Sequence, residues 1–150
     1  MRLEDEIVQK SFKDEFHKLA INLQFTAAHY RNEFRGKLKP YGISPEQFNI
    51  LRILRGQHPG AASAKLVAER MIDKSSNVSR LVEKLLLKGL VKRSACDEDR
   101  RAVDLEITAR GLEVLLQIDE DMKTEHISLV DTLTKSEAKQ LNNLLDKVRG

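Results

Sequence analysis

The segment Lys74-Ser75-Ser76-Asn77-Val78-Ser79-Arg80-Leu81-Val82-Glu83-Lys84 holds the side chains best equipped for recognition chemistry. The guanidinium of Arg80 is a rigid fork of donors that fits the O6 and N7 acceptors of guanine. The carboxamide of Asn77 fits the mixed donor–acceptor edge of adenine. Short hydroxyls at Ser75, Ser76 and Ser79 allow close approach, and Lys74 and Lys84 add flanking charge. At about 100° per residue, Val78, Leu81, Val82 and Leu85 form one apolar stripe. Ser76, Ser79, Arg80 and Glu83 fall opposite it, with Lys74, Ser75 and Asn77 in the first turn of a helix expected over 74–88. A Ser/Asn-rich opening is also what any helix N-terminus favours for capping, so on this helix alone both readings stand.

A second cluster, Asp97-Glu98-Asp99-Arg100-Arg101, lies between two apolar runs. Arginines at such a tip can reach phosphates or a narrow minor groove. The same run also reads as a solvated turn in which Asp99 pairs with an arginine, and the two readings are compatible. Enzymatic chemistry is not expected. His17, His29, His58 and His126 lack H-x-x-x-H spacing and only Cys96 could join them, so no metal site and no cofactor is expected. The sequential acids Asp97, Glu98 and Asp99 point in different directions and cannot form a defined acid–base pair. No glycine-rich phosphate loop or nucleophile elbow is present. Cys96 stands beside three acids that disfavour its thiolate, so it reads as an incidental residue rather than a redox sensor.

The elements that position these residues follow from periodicity. Residues 1–35 contain no Gly or Pro, and Phe12, Phe16, Leu19, Leu23 and Ala27 mark one long helix with a single apolar stripe, ended by Gly36 and Pro40. Ser44-Pro45-Glu46-Gln47 predicts a capping box with proline at the first helical position, and Gly56 to Gly60 closes that helix. A short helix is expected over about 63–71. Gly89 is expected to stop the 74–88 helix. Leu90 to Arg93 then reads as a strand. Val103, Leu105 and Ile107 alternate with polar residues as a second strand, so the two make a β-hairpin. Thr108 is expected to cap a helix running to about Leu133, and Thr134-Lys135-Ser136-Glu137 opens a last helix carrying Leu141, Leu144, Leu145 and Val148. The expected class is mainly α with a small β-hairpin wing.

The 150 residues are 41% apolar and 33% charged, with one cysteine and a net charge of +3. The acidic N-terminus lacks the apolar core of a secretory signal, no run is long enough to span a membrane, and a single cysteine suits a reducing compartment, so a cytoplasmic protein is expected. Residues 1–62 and 63–111 each carry +3, and residues 112–150 carry −3. A basic body with an acidic tail suits one polyanion-facing side, although solvated helix faces would give the same balance.

The stretch from Leu66 to Gly111 resembles the MarR family of transcription regulators. The specific part is Asp99-Arg100-Arg101-Ala102-Val103 followed by Leu105-Glu106-Ile107-Thr108-Ala109-Arg110-Gly111, similar to the family's Asp-Arg-Arg run leading to Leu-Thr-x-x-Gly, with Ile107 in place of the usual Leu. Ser79 to Leu85 and Lys88-Gly89-Leu90-Val91 resemble its recognition helix and exit. The resemblance implies a single winged helix-turn-helix unit over 1–150, with residues 44–111 as the DNA-binding lobe and residues 1–35 and 112–150 as dimerisation helices. It implies a homodimer on a pseudopalindromic double-stranded operator, a repressor released by a small-molecule effector, and no membrane partner. Lys74, Ser75, Ser76, Asn77, Ser79, Arg80, Lys84, Arg100 and Arg101 are its expected DNA contacts. No ligand residues are assigned. His29, Tyr30, Phe34 and Phe48 could line a pocket at the lobe junction, or serve as core. The stripes at the two chain ends independently favour a dimer, against an intramolecular bundle of the same helices. The competing functional reading is a winged protein-interaction module that uses the Ser76/Arg80 face for a protein partner.

Overall fold

The computed structural model describes residues 2–95, 103–124 and 131–150. In chain order these form α1 (Leu3–Glu6), α2 (Glu15–Leu38), α3 (Pro45–Arg55), β1 (Ala62–Ser63), α4 (Ala64–Arg70), α5 (Val78–Leu87), β2 (Val91–Ala95), β3 (Val103–Ile107), α6 (Ala109–Thr124) and α7 (Lys135–Arg149). Among the described residues no helix is long and apolar enough to cross a membrane.

The single helix expected over residues 1–35 is two. Val8 adopts a left-handed backbone (φ 53°), and α2 starts afresh at Asp14, whose carboxylate accepts from the His17 N–H at 2.7 Å. The short α1 is held against α2 by Lys18, which donates to Glu4 at 2.6 Å. That bond is the main reason the Glu4 pKa falls to about 2. Gly36 does not end α2, which continues to Leu38; a 3-10 turn over Lys39–Tyr41 and a left-handed Gly42 end it instead. The expected start of α3 is present in full: Ser44 accepts from the Gln47 N–H, Gln47 answers at the Ser44 N–H, and Pro45 fills the first helical position.

One core serves the lobe. Leu38, Ile50, Leu51, Leu54, Val67, Met71 and Leu85 are buried in it, together with Leu105 and Ile107 from β3. Leu115 and Ile118 of α6 belong to the same core, so the first half of that helix packs within the lobe. The sheet order is β1-β3-β2, all antiparallel, with Val91 opposite Ile107, Arg93 opposite Leu105 and Ala62 also opposite Leu105. The two-residue β1 shows no periodicity in sequence and was not expected. The hairpin tip, with Cys96, Arg100 and Arg101, lies outside the described residues, as does the expected continuation of α6 through 125–130.

The exits from α5 and β3 are locked to each other. Gly89 (φ 66°) closes α5 with its N–H on the Leu86 carbonyl, and the Leu90 N–H reaches Leu85. This pair of bonds is a Schellman stop and favours glycine for its backbone sign. The Thr108 hydroxyl donates to the Gly89 carbonyl at 2.7 Å and accepts from the Gly111 N–H at 3.0 Å, capping α6. A side chain at Gly111 would place its Cβ 2.3 Å from the Leu90 carbonyl oxygen and 2.7 Å from Ile107 Cγ1. The first of these is backbone and cannot swing away. Gly111→Ala is therefore expected to cost about 1–3 kcal/mol by overpacking, read as a lower urea midpoint with an unchanged m-value. An unaltered midpoint would show that the α5–β3–α6 junction yields freely.

Candidate nucleic-acid interface

Helix α4, a turn and helix α5 form the helix-turn-helix. The turn is built by its own short polar side chains. Asp73 Oδ1 accepts from both the N–H and the hydroxyl of Ser75, at 2.9 and 2.6 Å, and these bonds hold the Asp73 carboxyl below its ordinary range. The Asn49 carboxamide, from α3, accepts from the Ile72 N–H at 2.9 Å and fixes the turn to the lobe. The Lys74 ammonium bends back to the Glu69 carbonyl.

Helix α5 begins four residues later than expected. Residues 74–77 belong to the turn, and Asn77 is the cap: its side-chain oxygen accepts from the Arg80 N–H at 3.0 Å. The capping reading of Asn77 thus holds, and the amide nitrogen of its side chain is what remains for a further partner. Ser76 does not share the outward face. Its hydroxyl is buried without a hydrogen-bond partner among the described residues, because the wheel position assigned to it presumed helix where the chain is a turn.

The rest of the expected face is intact. Ser79, Arg80, Glu83 and Lys84 are exposed, whereas Val82 and Leu85 are buried beneath them. Glu83 is neutralised by Arg93 of β2, which donates to it across the helix–sheet junction. Across the β2–β3 pair Lys92 meets Glu106 at 2.8 Å and is the main cause of that carboxyl's lowered pKa. Among the described residues no carboxylate pairs with Arg80, so its guanidinium stands free on the outer surface of α5. A cationic fork with the Ser79 hydroxyl beside it, on a helix anchored by an apolar underside, is suited to an acceptor-rich polyanion.

The aromatic residues considered for a ligand pocket separate into two places. Phe34 and Phe48 meet edge to face at 5.2 Å and line a cleft of about 550 Å³ with Arg31, Arg52, Arg70 and Asp73. The Arg52 guanidinium sits 5.9 Å from the Phe48 ring centre. Tyr30 instead lines a groove between α2 and α7, with His29 edge-on to it at 5.8 Å. The arginines of the first cleft were not found by sequence reading, because they come from three separate helices and share no local spacing.

Comparisons with known proteins bear on this arrangement. The model of the MarR family matches residues 43–103, from the start of α3 to β3. The chain is 25% identical over 131 residues to the HTH-type transcriptional regulator MhqR of Bacillus subtilis, covering 87% of this chain and 89% of the relative. Its fold is similar to that of a MarR variant from E. coli solved in complex with operator DNA (TM-score 0.77, 23% identity, 99% of each chain). It is also similar to the organohalide-sensing RdhR-CbdbA1625 transcriptional regulator in its 2,4-dichlorophenol-bound form (TM-score 0.79, 20% identity, 94% of this chain and 85% of that one).

Proposed function

Because this chain belongs to the MarR family, we propose that it acts as a homodimeric, sequence-specific regulator of transcription that binds double-stranded DNA and answers to a small molecule. The observation that carries the reading is Arg80, without a carboxylate partner among the described residues, on the exposed side of an α5 whose other side is locked into the lobe core. Arg80 is assigned to base edges, with Ser79 and the amide nitrogen of Asn77 beside it. Lys74, Ser75 and Lys84 are assigned to flanking phosphates, and Arg100 and Arg101 to phosphates or the minor groove beyond the hairpin. The operator is a pseudopalindrome, the sign of regulation is repression, and the compartment is the cytoplasm.

Effector release follows from geometry. The Phe34–Phe48 cleft is walled by α2, by α3 and by the turn at Asp73 that sets the start of α5. A molecule seated there in one lobe orientation and excluded from another shifts the population of DNA-competent dimers by its difference in affinity.

The reading is tested by selecting duplexes from a random pool with purified protein, then titrating the winner against salt. The expected result is a clear sequence preference and a steep linear fall of log affinity with log salt. Weak binding that ignores sequence would favour the protein-interaction reading instead.

A further inference from the structure

A second cleft lies on the other side of α3 and shares only Lys84 with the surface assigned above. It has a volume of about 750 Å³ and is rimmed by Arg35 and Lys39 from the end of α2 and the turn after it, by Lys84 from α5 and by Lys88 at the C-cap of α5. Among the described residues no aspartate or glutamate lines it. The acid in the first turn of α3, Glu46, lines the opposite cleft. Lys88 is committed to the carbonyl of Gly42. Among the described residues no carboxylate pairs with Arg35, Lys39 or Lys84, although the neighbouring Lys37 pairs with Glu33. Three unpaired cations facing one concavity repel one another, and a bound anion relieves that repulsion.

The cleft is continuous with the reading face. Arg80, Lys84, Leu87 and Lys88 fall at i, i+4, i+7 and i+8, so they form one stripe along α5. A duplex whose base edges meet Arg80 runs along this stripe to Lys84 and the mouth of the cleft. The N-terminus of α3, at Ser44, opens onto the same space and adds partial positive charge.

We propose that this cleft grips the sugar–phosphate backbone flanking the groove read by α5, with Arg35, Lys39 and Lys84 as its phosphate-contacting residues. The inference rests on the DNA-binding reading above and extends the DNA surface to the end of α2. That helix has 24 residues, about 36 Å at 1.5 Å per residue. It carries the exposed apolar Phe16 near one end and Arg35 near the other. Tilting α2 at its apolar end would therefore move a phosphate contact as well as the lobe.

The cations also stand near the C-terminal ends of α2 and α5, where positive charge offsets the helix dipole. A dipole role appears as reduced stability; a phosphate role appears as reduced affinity. The test is the full-length double variant Arg35→Ala/Lys39→Ala, titrated against the selected operator and an unrelated duplex over a salt series, with Tm and sedimentation measured alongside. The expected result is a fall of roughly 10-fold or more for both duplexes, with their ratio kept. Each phosphate that is no longer neutralised makes the salt slope shallower by about one unit, hence by up to about four for a dimer. Tm and assembly stay as in the parent. Should the alanines lower Tm, Arg35→Gln/Lys39→Gln, which keeps side-chain bulk, must give the same slope change. Unchanged affinity and slope, with Arg80→Ala still damaging, would overturn the backbone grip and leave the DNA-binding reading in place. Absence of salt-dependent binding by the parent would overturn that reading first.

Discussion

Arg80→Ala lowers affinity for the cognate duplex by about 1–3 kcal/mol for each bidentate base contact, of which a symmetric dimer makes two, and leaves affinity for unrelated DNA nearly unchanged. The substitution is clean for structural reasons. The Asn77 cap engages the backbone N–H of residue 80, not its side chain. Alanine is also the strongest helix former, so α5 keeps its start and its length. Arg80 has no carboxylate partner among the described residues, so its removal strands no buried or paired charge. The companion measurement is geometric. Two copies of α5 related by a dyad need successive major grooves, about 10 base pairs apart. Inserting about five base pairs between half-sites turns one groove to the far side of the duplex, and affinity falls toward the non-specific level, typically about 10³-fold or more. If both changes leave cognate affinity unaltered, α5 is not the reader.

The parts of this interface that were legible in sequence are those governed by local rules. Ser44, Pro45 and Gln47 announce α3, Thr134 and Glu137 announce α7, and Gly89 announces the end of α5; all three sites have the expected hydrogen bonds. The α5 stripe was readable because Val78, Leu81, Val82 and Leu85 repeat at the helical period above a buried floor. The start of α5 was not, because Asp73, Ser75, Ser76 and Asn77 are all good caps and the sequence does not rank them. The choice falls to Asn77 because the Asp73 carboxylate is spent on Ser75. The break between α1 and α2 was hidden for a similar reason. It contains no glycine or proline, and the left-handed residue is a β-branched valine, held by the contact between Glu4 and Lys18, fourteen positions apart. The basic cleft is assembled from α2, α3 and α5, a juxtaposition that only the fold creates.

The protein is expected to sediment as a homodimer at micromolar concentration, and the apolar faces of α2 and α7 say where the two copies meet. Phe16 is 83% exposed, Leu144 53% and Val148 60% in the single chain, and α7 buries none of its residues. The intramolecular bundle is only partly realised. Leu23 and Ala27 share a groove with Leu141 and Leu145, but that groove is open, about 610 Å³ in volume. A second copy related by a dyad closes it with the same residues from the other side, which is the self-complementary solution available to a twofold interface. The lobe itself does not depend on α7. Leu115 and Ile118 are buried by the lobe core, so removing residues 134–150 is not expected to uncover them. The truncated chain should keep the cooperative unfolding of its lobe and sediment as a monomer. The subtler variant is Leu141→Asp/Leu144→Asp, which places four carboxylates in one dimer interface. Each buried leucine contributes about 1.5–3 kcal/mol, so the dimer dissociation constant should rise by several orders of magnitude while helix content is retained. Operator affinity should then collapse to that of a single lobe on one half-site, and a five-base-pair insertion should no longer matter, since nothing links the two reading helices. A full-length chain that sediments as a monodisperse monomer would instead leave the α2 and α7 stripes without a partner and remove the dyad on which the operator's symmetry depends.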